Sequence, residues 1–269
     1  MTRLSVGEIV DDAGDLASAV ALPWIGLLWL TAIPLRLGQA HFVARLVELG
    51  PEAREYGDDL GALAFGIAVL FLLSLWGRAV FVRSCALRLR GLAATGRAPL
   101  HLPPGPFLSY VYVALLIELV FLVTSFTLVM VPFCALVAGL AAAIFPQGEP
   151  VGLVRPVVRV ARQGSQALPL TGLVAVFASA LVLAAVNLYF VFQLGLWLAG
   201  GVAGADTTRW AGLLAGSNPR FLLVVLAGAS VVVEPFWLAA LVVYVHKLEA
   251  RSTGEDLRLW FGRLRSGEA

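Results

Sequence analysis

Charged residues are scarce along this chain. Only 13% of its 269 residues are Asp, Glu, Lys or Arg, whereas 60% are hydrophobic, and the mean hydropathy is +0.90. A soluble domain of this size must cover its outside with polar groups, and this sequence has too few of them. The shortage excludes a soluble globular protein and predicts a multi-span membrane protein.

Cysteine, histidine and lysine are also rare. The chain has two cysteines, three histidines and a single lysine, Lys247, and neither a Cys-x-x-Cys pair nor a His/Cys cluster with metal-ligand spacing. We therefore predict no metal site and no cofactor. Cys85 falls at one end of a predicted span and Cys134 within another, so we expect both thiols to be unpaired. Arginine supplies the other basic residues, which is typical of a GC-rich bacterial genome.

Long apolar runs take the place of the missing polar residues. A bilayer core of about 30 Å needs roughly 20 helical residues per crossing. The run from Phe107 to Phe145 has 39 residues and one charge, and as a single helix it would measure about 58 Å, so we expect it to divide near Ser125. Division gives six spans in all. The predicted fold is an all-α polytopic membrane helix bundle with six transmembrane helices and amphipathic interfacial helices.

The chain is predicted to form one integral membrane domain, residues 1–269. It comprises an interfacial leader helix (1–18), a six-span bundle (19–246) and a charged cytoplasmic tail (247–269). In the leader, Ser5 and Glu8 have the spacing of a capping box, and four apolar residues fall on one helical face: Ile9, Ala13, Leu16 and Val20. A soluble leader remains the alternative.

The distribution of arginine sets the predicted topology. With six spans, thirteen basic residues fall on one side of the membrane and five on the other. The positive-inside rule then places both termini in the cytoplasm, in a multi-pass protein of the cell (inner) membrane. Some of the cytoplasmic residues are candidate contacts for anionic lipid headgroups, although topology alone also accounts for them. These candidates are Arg88, Arg90, Arg155, Arg159 and Arg162.

Three ionisable residues within the apolar runs form the candidate intramembrane site. Glu118 and Glu234 are each about 18 Å from the cytoplasmic ends of their predicted spans, and Arg78 lies within the second span. Ionisable groups at such depths usually face the bundle interior. We expect both carboxylates to point inward and lie close together, with Arg78 either reaching toward Glu118 or extending to the headgroups. The site is interpreted either as a proton or cation site or as a structural pair that fixes helix packing.

The end of the chain resembles a broad bacterial family. Pro235 and the stretch from Tyr244 to Leu257 are similar to the close of the membrane domain found with glycerophosphoryl diester phosphodiesterases and of its stand-alone relatives. Leu4 to Ile9 looks like the family's interfacial leader, and the basic segment Arg155 to Arg162 is also similar. His246 and Leu248 stand where the family commonly has aspartate and arginine. The resemblance implies a membrane module without the phosphodiesterase domain and with a partner-dependent role.

Three functions follow as hypotheses. The first is a non-enzymatic envelope protein, a scaffold or accessory subunit of a membrane complex, and both the family resemblance and the lack of catalytic clusters favour it. The second is a small transporter or channel that uses the intramembrane carboxylates. The third is a membrane enzyme acting on lipids. The expected partners are the lipid bilayer, anionic lipids and the proteins of a membrane complex; nucleic acid is not expected.

Overall fold

The computed structural model describes residues 5–20, 22–50, 55–92, 98–124, 130–145, 157 and 169–253. Regular structure within these residues is entirely helical, with no strand. The predicted all-α class is therefore confirmed for this part of the chain.

Eight α-helices follow one another along the described residues. They are α1 (Val6–Ala19), α2 (Leu22–Leu49), α3 (Gly57–Leu89), α4 (Pro104–Thr124), α5 (Met130–Ile144), α6 (Pro169–Trp197), α7 (Thr208–Leu213) and α8 (Pro219–Thr253). A 3-10 turn covers Ala98–Leu100, and a π-helical turn, Leu198–Val202, extends the end of α6.

Within the described residues, three helical segments are long and apolar enough to cross a membrane. They are Gly57–Leu89, Leu170–Val202 and Pro219–Ala250, and the number rises to four if α1 and α2 together form one broken span. These lengths fit a membrane protein. The expected count of six spans stays a prediction.

The long run from Phe107 to Phe145 divides as predicted. Helix α4 ends at Thr124 and α5 begins at Met130. Pro132 lies in the first turn of α5, where its missing N–H has no helical partner to lose. The join itself, residues 125–129, lies outside the described residues, as do the basic segment 151–156 and 158–166 and the tail from residue 254.

Helix α1 buries the face that its spacing predicts. Ile9, Ala13 and Leu16 are all buried. The predicted capping box is wrong, because Ser5 occupies the N-cap position without a side-chain hydrogen bond to the helix. Ser5 is exposed, so water can satisfy the free N–H groups of the first turn.

Two helices continue well past their apolar parts. Helix α2 continues through Pro34 to Leu49, and α8 continues to Thr253. The segment between Gly200 and Pro219 contains the short helix α7. The N–H of Thr208 donates to Asp206 Oδ1 over 3.0 Å at the start of that helix. Hydrogen bonds from the Thr208 side chain and backbone keep the pKa of Asp206 below its usual value.

The described chain forms two compact units. The first contains Met1–Ala21, Ala79–Val174 and Phe236–Ala269. Its core includes Phe81, Tyr110 and Tyr244, which are fully buried. A Cβ on Gly139 of α5 would clash with Leu241 Cδ1 and lie 2.9 Å from Trp237 Nε1, so a larger residue there requires these side chains of α8 to shift. Cys85 and Cys134 are buried free thiols, as predicted.

The second unit contains Leu22–Arg78 and Ala175–Pro235. It holds α2, the first part of α3, most of α6, α7 and the first part of α8. Aromatic side chains join α6 to the start of α8, since the rings of Tyr189 and Phe192 lie 5.9 and 5.5 Å from that of Phe221. The Gln193 side chain donates to Leu214 O over 2.7 Å, which closes the α6–α8 connection.

Candidate intramembrane polar site

Arg78 of α3 and Glu234 of α8 form an ion pair within the second unit. The Arg78 Nε–H donates to Glu234 Oε1, and the two side chains are only 14% and 8% exposed. The structure thus brings together two of the three residues that the sequence selected, but the two expected positions of Arg78, toward Glu118 or at the headgroups, are wrong, because its side chain is buried against Glu234. Removing either charge alone from water into an apolar bundle is costly, and pairing offsets that cost.

A close approach of α2 and α3 lies immediately beside Arg78. A Cβ on Gly77 would overlap Thr31 Oγ1 and lie 3.1 Å from Thr31 Cβ, so a larger residue at this crossing forces Thr31 or the two helices to shift. The Thr31 hydroxyl bonds to the carbonyl oxygens of Leu27 and Leu28 at 3.1 and 3.0 Å within its own helix. The Thr31 hydroxyl therefore has its hydrogen-bond partners within α2, and Gly77 packs directly against this side chain.

Pro235, next to Glu234, leaves one backbone carbonyl of α8 without its usual hydrogen bond. Proline has no N–H, so the carbonyl of Val231, four residues earlier, loses its helical partner. The indole N–H of Trp29 on α2 donates to that carbonyl over 3.1 Å. A side chain of α2 thereby replaces the backbone hydrogen bond that Pro235 removes, beside the ion pair.

Two polar atoms near the ion pair have no hydrogen-bond partner among the described residues. They are Oε2 of Glu234 and Oγ of Ser74, and both are buried. Ser74 precedes Arg78 by four residues, so the two side chains lie on the same face of α3. The carboxylate is thus paired through one oxygen only, and Oε2 can still accept a proton or coordinate a cation.

Glu118 does not face the interior as expected. It is exposed on α4, whereas Tyr110, Val113 and Ile117 of the same helix are buried. These three residues lie three and four positions apart and define the buried face, and Glu118 lies at its edge, one residue further round the helix. The prediction that both carboxylates point into the bundle is therefore wrong for Glu118.

Only part of the predicted headgroup site can be located. Arg88 and Arg90 are exposed at the end of α3, where they can reach headgroups. Arg155, Arg159 and Arg162 lie outside the described residues.

Sequence reasoning missed Ser74 and Trp29. The four-residue spacing from Arg78 was the available signal for Ser74. For Trp29, the signal was Pro235, because any internal proline frees the carbonyl four residues before it. The identity of the donor, some 200 residues away in sequence, had no local signal.

No family model, curated protein or solved structure matches the chain.

Proposed function

We propose that this protein is a non-enzymatic scaffold or accessory subunit of a complex in the cell (inner) membrane. The exposed carboxylate of Glu118 on the apolar helix α4 supports this proposal. An ionisable group facing lipid is costly, and such groups usually meet a polar partner. A second membrane protein with a basic or hydroxyl side chain at the depth of Glu118 supplies that partner.

The residues around Glu118 fit a helix-packing surface. Leu115, three residues before Glu118, and Leu119, the residue after it, are 49% and 62% exposed. Apolar side chains with one polar group among them are typical of helix–helix contacts in membranes, where the polar group provides an interhelical hydrogen bond. In this proposal the Arg78–Glu234 pair is an internal brace that holds α3 against α8.

Affinity purification from native membranes tests the proposal. We expect the wild-type chain to retain a membrane protein in stoichiometric amounts and Glu118→Leu to reduce its recovery about ten-fold, the loss expected for one hydrogen bond to a charged group. Leu108→Ala, at a 66% exposed site near the start of α4, is the control and should retain the protein. No stoichiometric partner, or equal recovery with Glu118→Leu, would contradict the proposal.

The proposed topology has six spans with both termini in the cytoplasm. Two contacts support it, one in each unit. In the first unit, Lys247 near the end of α8 pairs with Asp12 of α1, which agrees with termini on one side. In the second, Arg220 at the start of α8 pairs with Glu48 at the end of α2, which agrees with a shared opposite side.

A second candidate function is transport of a proton or small cation. The buried Oε2 of Glu234, which accepts no hydrogen bond from the described residues, favours it. In vesicles loaded with a pH-sensitive dye, a transporter should move protons or cations in the wild type and lose this activity with Glu234→Gln. Arg220→Gln, at the exposed ion pair, is the control and should remain active. A wild-type flux no greater than that of empty vesicles would exclude this function.

The non-enzymatic assignment has its own test. Purified protein should not hydrolyse glycerophosphodiesters, because the chain carries no segment resembling the phosphodiesterase domain. Turnover that disappears when residues of this chain are substituted would contradict the assignment.

A further inference from the structure

Helix α6 carries an uncovered polar group at the middle of its span. Asn187 lies at the centre of the Leu170–Val202 segment, and its side chain is exposed. Within the described part of the chain its carboxamide makes no hydrogen bond. A carboxamide facing hydrocarbon lacks both a donor and an acceptor partner, which costs free energy.

A row of residues that includes Asn187 follows a heptad pattern, and all of its members are exposed except the half-buried Ala180. We call this row the α6 seam; it comprises Ala180, Leu183, Asn187, Phe190, Leu194 and Trp197. Its members alternate by three and four positions, the spacing of facing residues in a coiled coil. The four large apolar members are 55% to 63% exposed. The seam is about 27 Å long at helical rise, close to the thickness of the bilayer core.

The opposite side of α6 is already occupied. Tyr189 and Phe192 pack against Phe221 of α8, and a Cβ on Gly228 of α8 would lie 3.3 Å from Leu188. These three residues of α6 point away from the seam on a helical projection. The seam is therefore a second, outward packing face. A shallow depression is lined by four seam residues, Asn187, Phe190, Leu194 and Trp197, together with the neighbouring Val191 and Gln193.

We propose that the α6 seam binds the α6 seam of a second copy of this chain, as a parallel pair with Asn187 at its centre. Two copies inserted with the same orientation are related by a twofold axis along the membrane normal, so Asn187 meets its equivalent at the same depth. The carboxamide both donates and accepts, so it is complementary to itself. A different protein would need a separate polar group at that depth.

The position of Asn187 within the heptad fits a two-helix pair. It occupies the same position as Ala180 and Leu194, while Leu183, Phe190 and Trp197 occupy the other facing position. A single asparagine among the facing residues fixes register and favours one oligomeric state in coiled coils, at some cost in stability. In a membrane its hydrogen bond adds to the association.

Disulfide cross-linking of the full chain in phospholipid vesicles tests the pairing. In a background where Cys85 and Cys134 are replaced by alanine, Leu183→Cys and Phe190→Cys should give cross-linked dimers under mild oxidation. Val182→Cys is the control, because Val182 is 64% exposed but lies outside the seam. A monomer at every protein-to-lipid ratio, or equal cross-linking at 182 and 183, would overturn the proposal.

The role of Asn187 has a separate measurement. By energy transfer between labelled copies, Asn187→Val should weaken dimer association roughly three- to thirty-fold, the range for one interhelical hydrogen bond in a membrane. Asn187→Gln, which keeps the donor and acceptor, should retain most of the association. An unchanged association with Asn187→Val would refute the central role of this residue.

Cross-linking in native membranes distinguishes this proposal from the accessory-subunit proposal. A product of Leu183→Cys with a different protein overturns self-pairing and leaves the accessory role intact. A cross-linked dimer that persists when Glu118-dependent recovery fails supports self-pairing and removes the accessory role.

Discussion

Arg78 and Glu234 each carry a charge that the surrounding apolar residues cannot stabilise alone. Their side chains are 14% and 8% exposed, and the guanidinium contacts one carboxylate oxygen. Breaking such a pair leaves a buried charge without a partner, whereas removing both charges removes the cost of burying them. Single substitutions should therefore lower the free energy of unfolding more than the double substitution does.

Arg78→Met or Glu234→Met alone should lower the free energy of unfolding by about 3 kcal/mol. The double variant should recover most of that loss, so the two effects are not additive. Unfolding in mixed micelles monitors this. Arg220→Met is the control, since its pair with Glu48 is 63% and 34% exposed and should contribute no more than about 1 kcal/mol. Additive losses at 78 and 234 would contradict the pairing.

Gly77→Ala tests the close approach beside the ion pair. The added Cβ would overlap Thr31 Oγ1, so Thr31 or the two helices must shift, at a cost of about 1–3 kcal/mol. Thr31→Ala removes that oxygen and should restore part of the stability.

Gly66→Ala is the control for that substitution. A Cβ at Gly66, also within α3, meets nothing within 4 Å, and alanine has the higher helix propensity, so stability should stay equal or rise. Equal effects at 66 and 77 would argue against a tight crossing at Gly77.

At the scale of the element, α8 depends on a side chain from another helix. Pro235 frees the Val231 carbonyl, and Trp29 of α2 supplies the donor. An unsatisfied carbonyl in an apolar bundle is costly. The hydrogen bond from Trp29 to the Val231 carbonyl therefore links α2 to α8 where Pro235 removes a backbone hydrogen bond.

Trp29→Phe should lower the free energy of unfolding by about 1–2 kcal/mol, because the carbonyl loses its donor. In a Pro235→Ala background the backbone N–H of residue 235 can bond that carbonyl again, so the same substitution should cost markedly less. Trp197→Phe, at a 63% exposed site on α6, controls for loss of ring size. A Trp29→Phe cost that is the same with and without Pro235 would contradict this coupling.

The helices themselves could largely be predicted from the sequence, and their contacts could not. Apolar runs gave α3, α6 and α8, and the length of Phe107–Phe145 required the division between α4 and α5. Helix α2 continues beyond its apolar part to Leu49, because the polar residues after Leu37 do not prevent helical geometry. Glu118 was misplaced because depth along a helix does not determine which face a residue occupies.

The topology of the whole chain depends on two signals, the lengths of the apolar helices and the distribution of basic residues. The described residues contain three to four candidate spans, while charge distribution favours six. The difference concerns mainly α4 and α5, whose 21 and 15 residues are near or below the length of a full crossing. A short helix can still cross where the bilayer thins locally.

Reporter fusions decide between these counts. If the chain has six spans, a reporter that works only outside the cytoplasm should be active after Gly57 and Gly204. The same reporter should be inactive after Gly96, Gly148 and the C-terminus. This arrangement is expected because thirteen of eighteen loop-proximal basic residues then lie in the cytoplasm. Gly148 is the decisive position, since it follows α5 and changes side if α4 and α5 cross only once. External activity at Gly148, or at the C-terminus, would rule out the six-span arrangement. It would also place Glu118 at a different depth from the one assumed for a partner subunit.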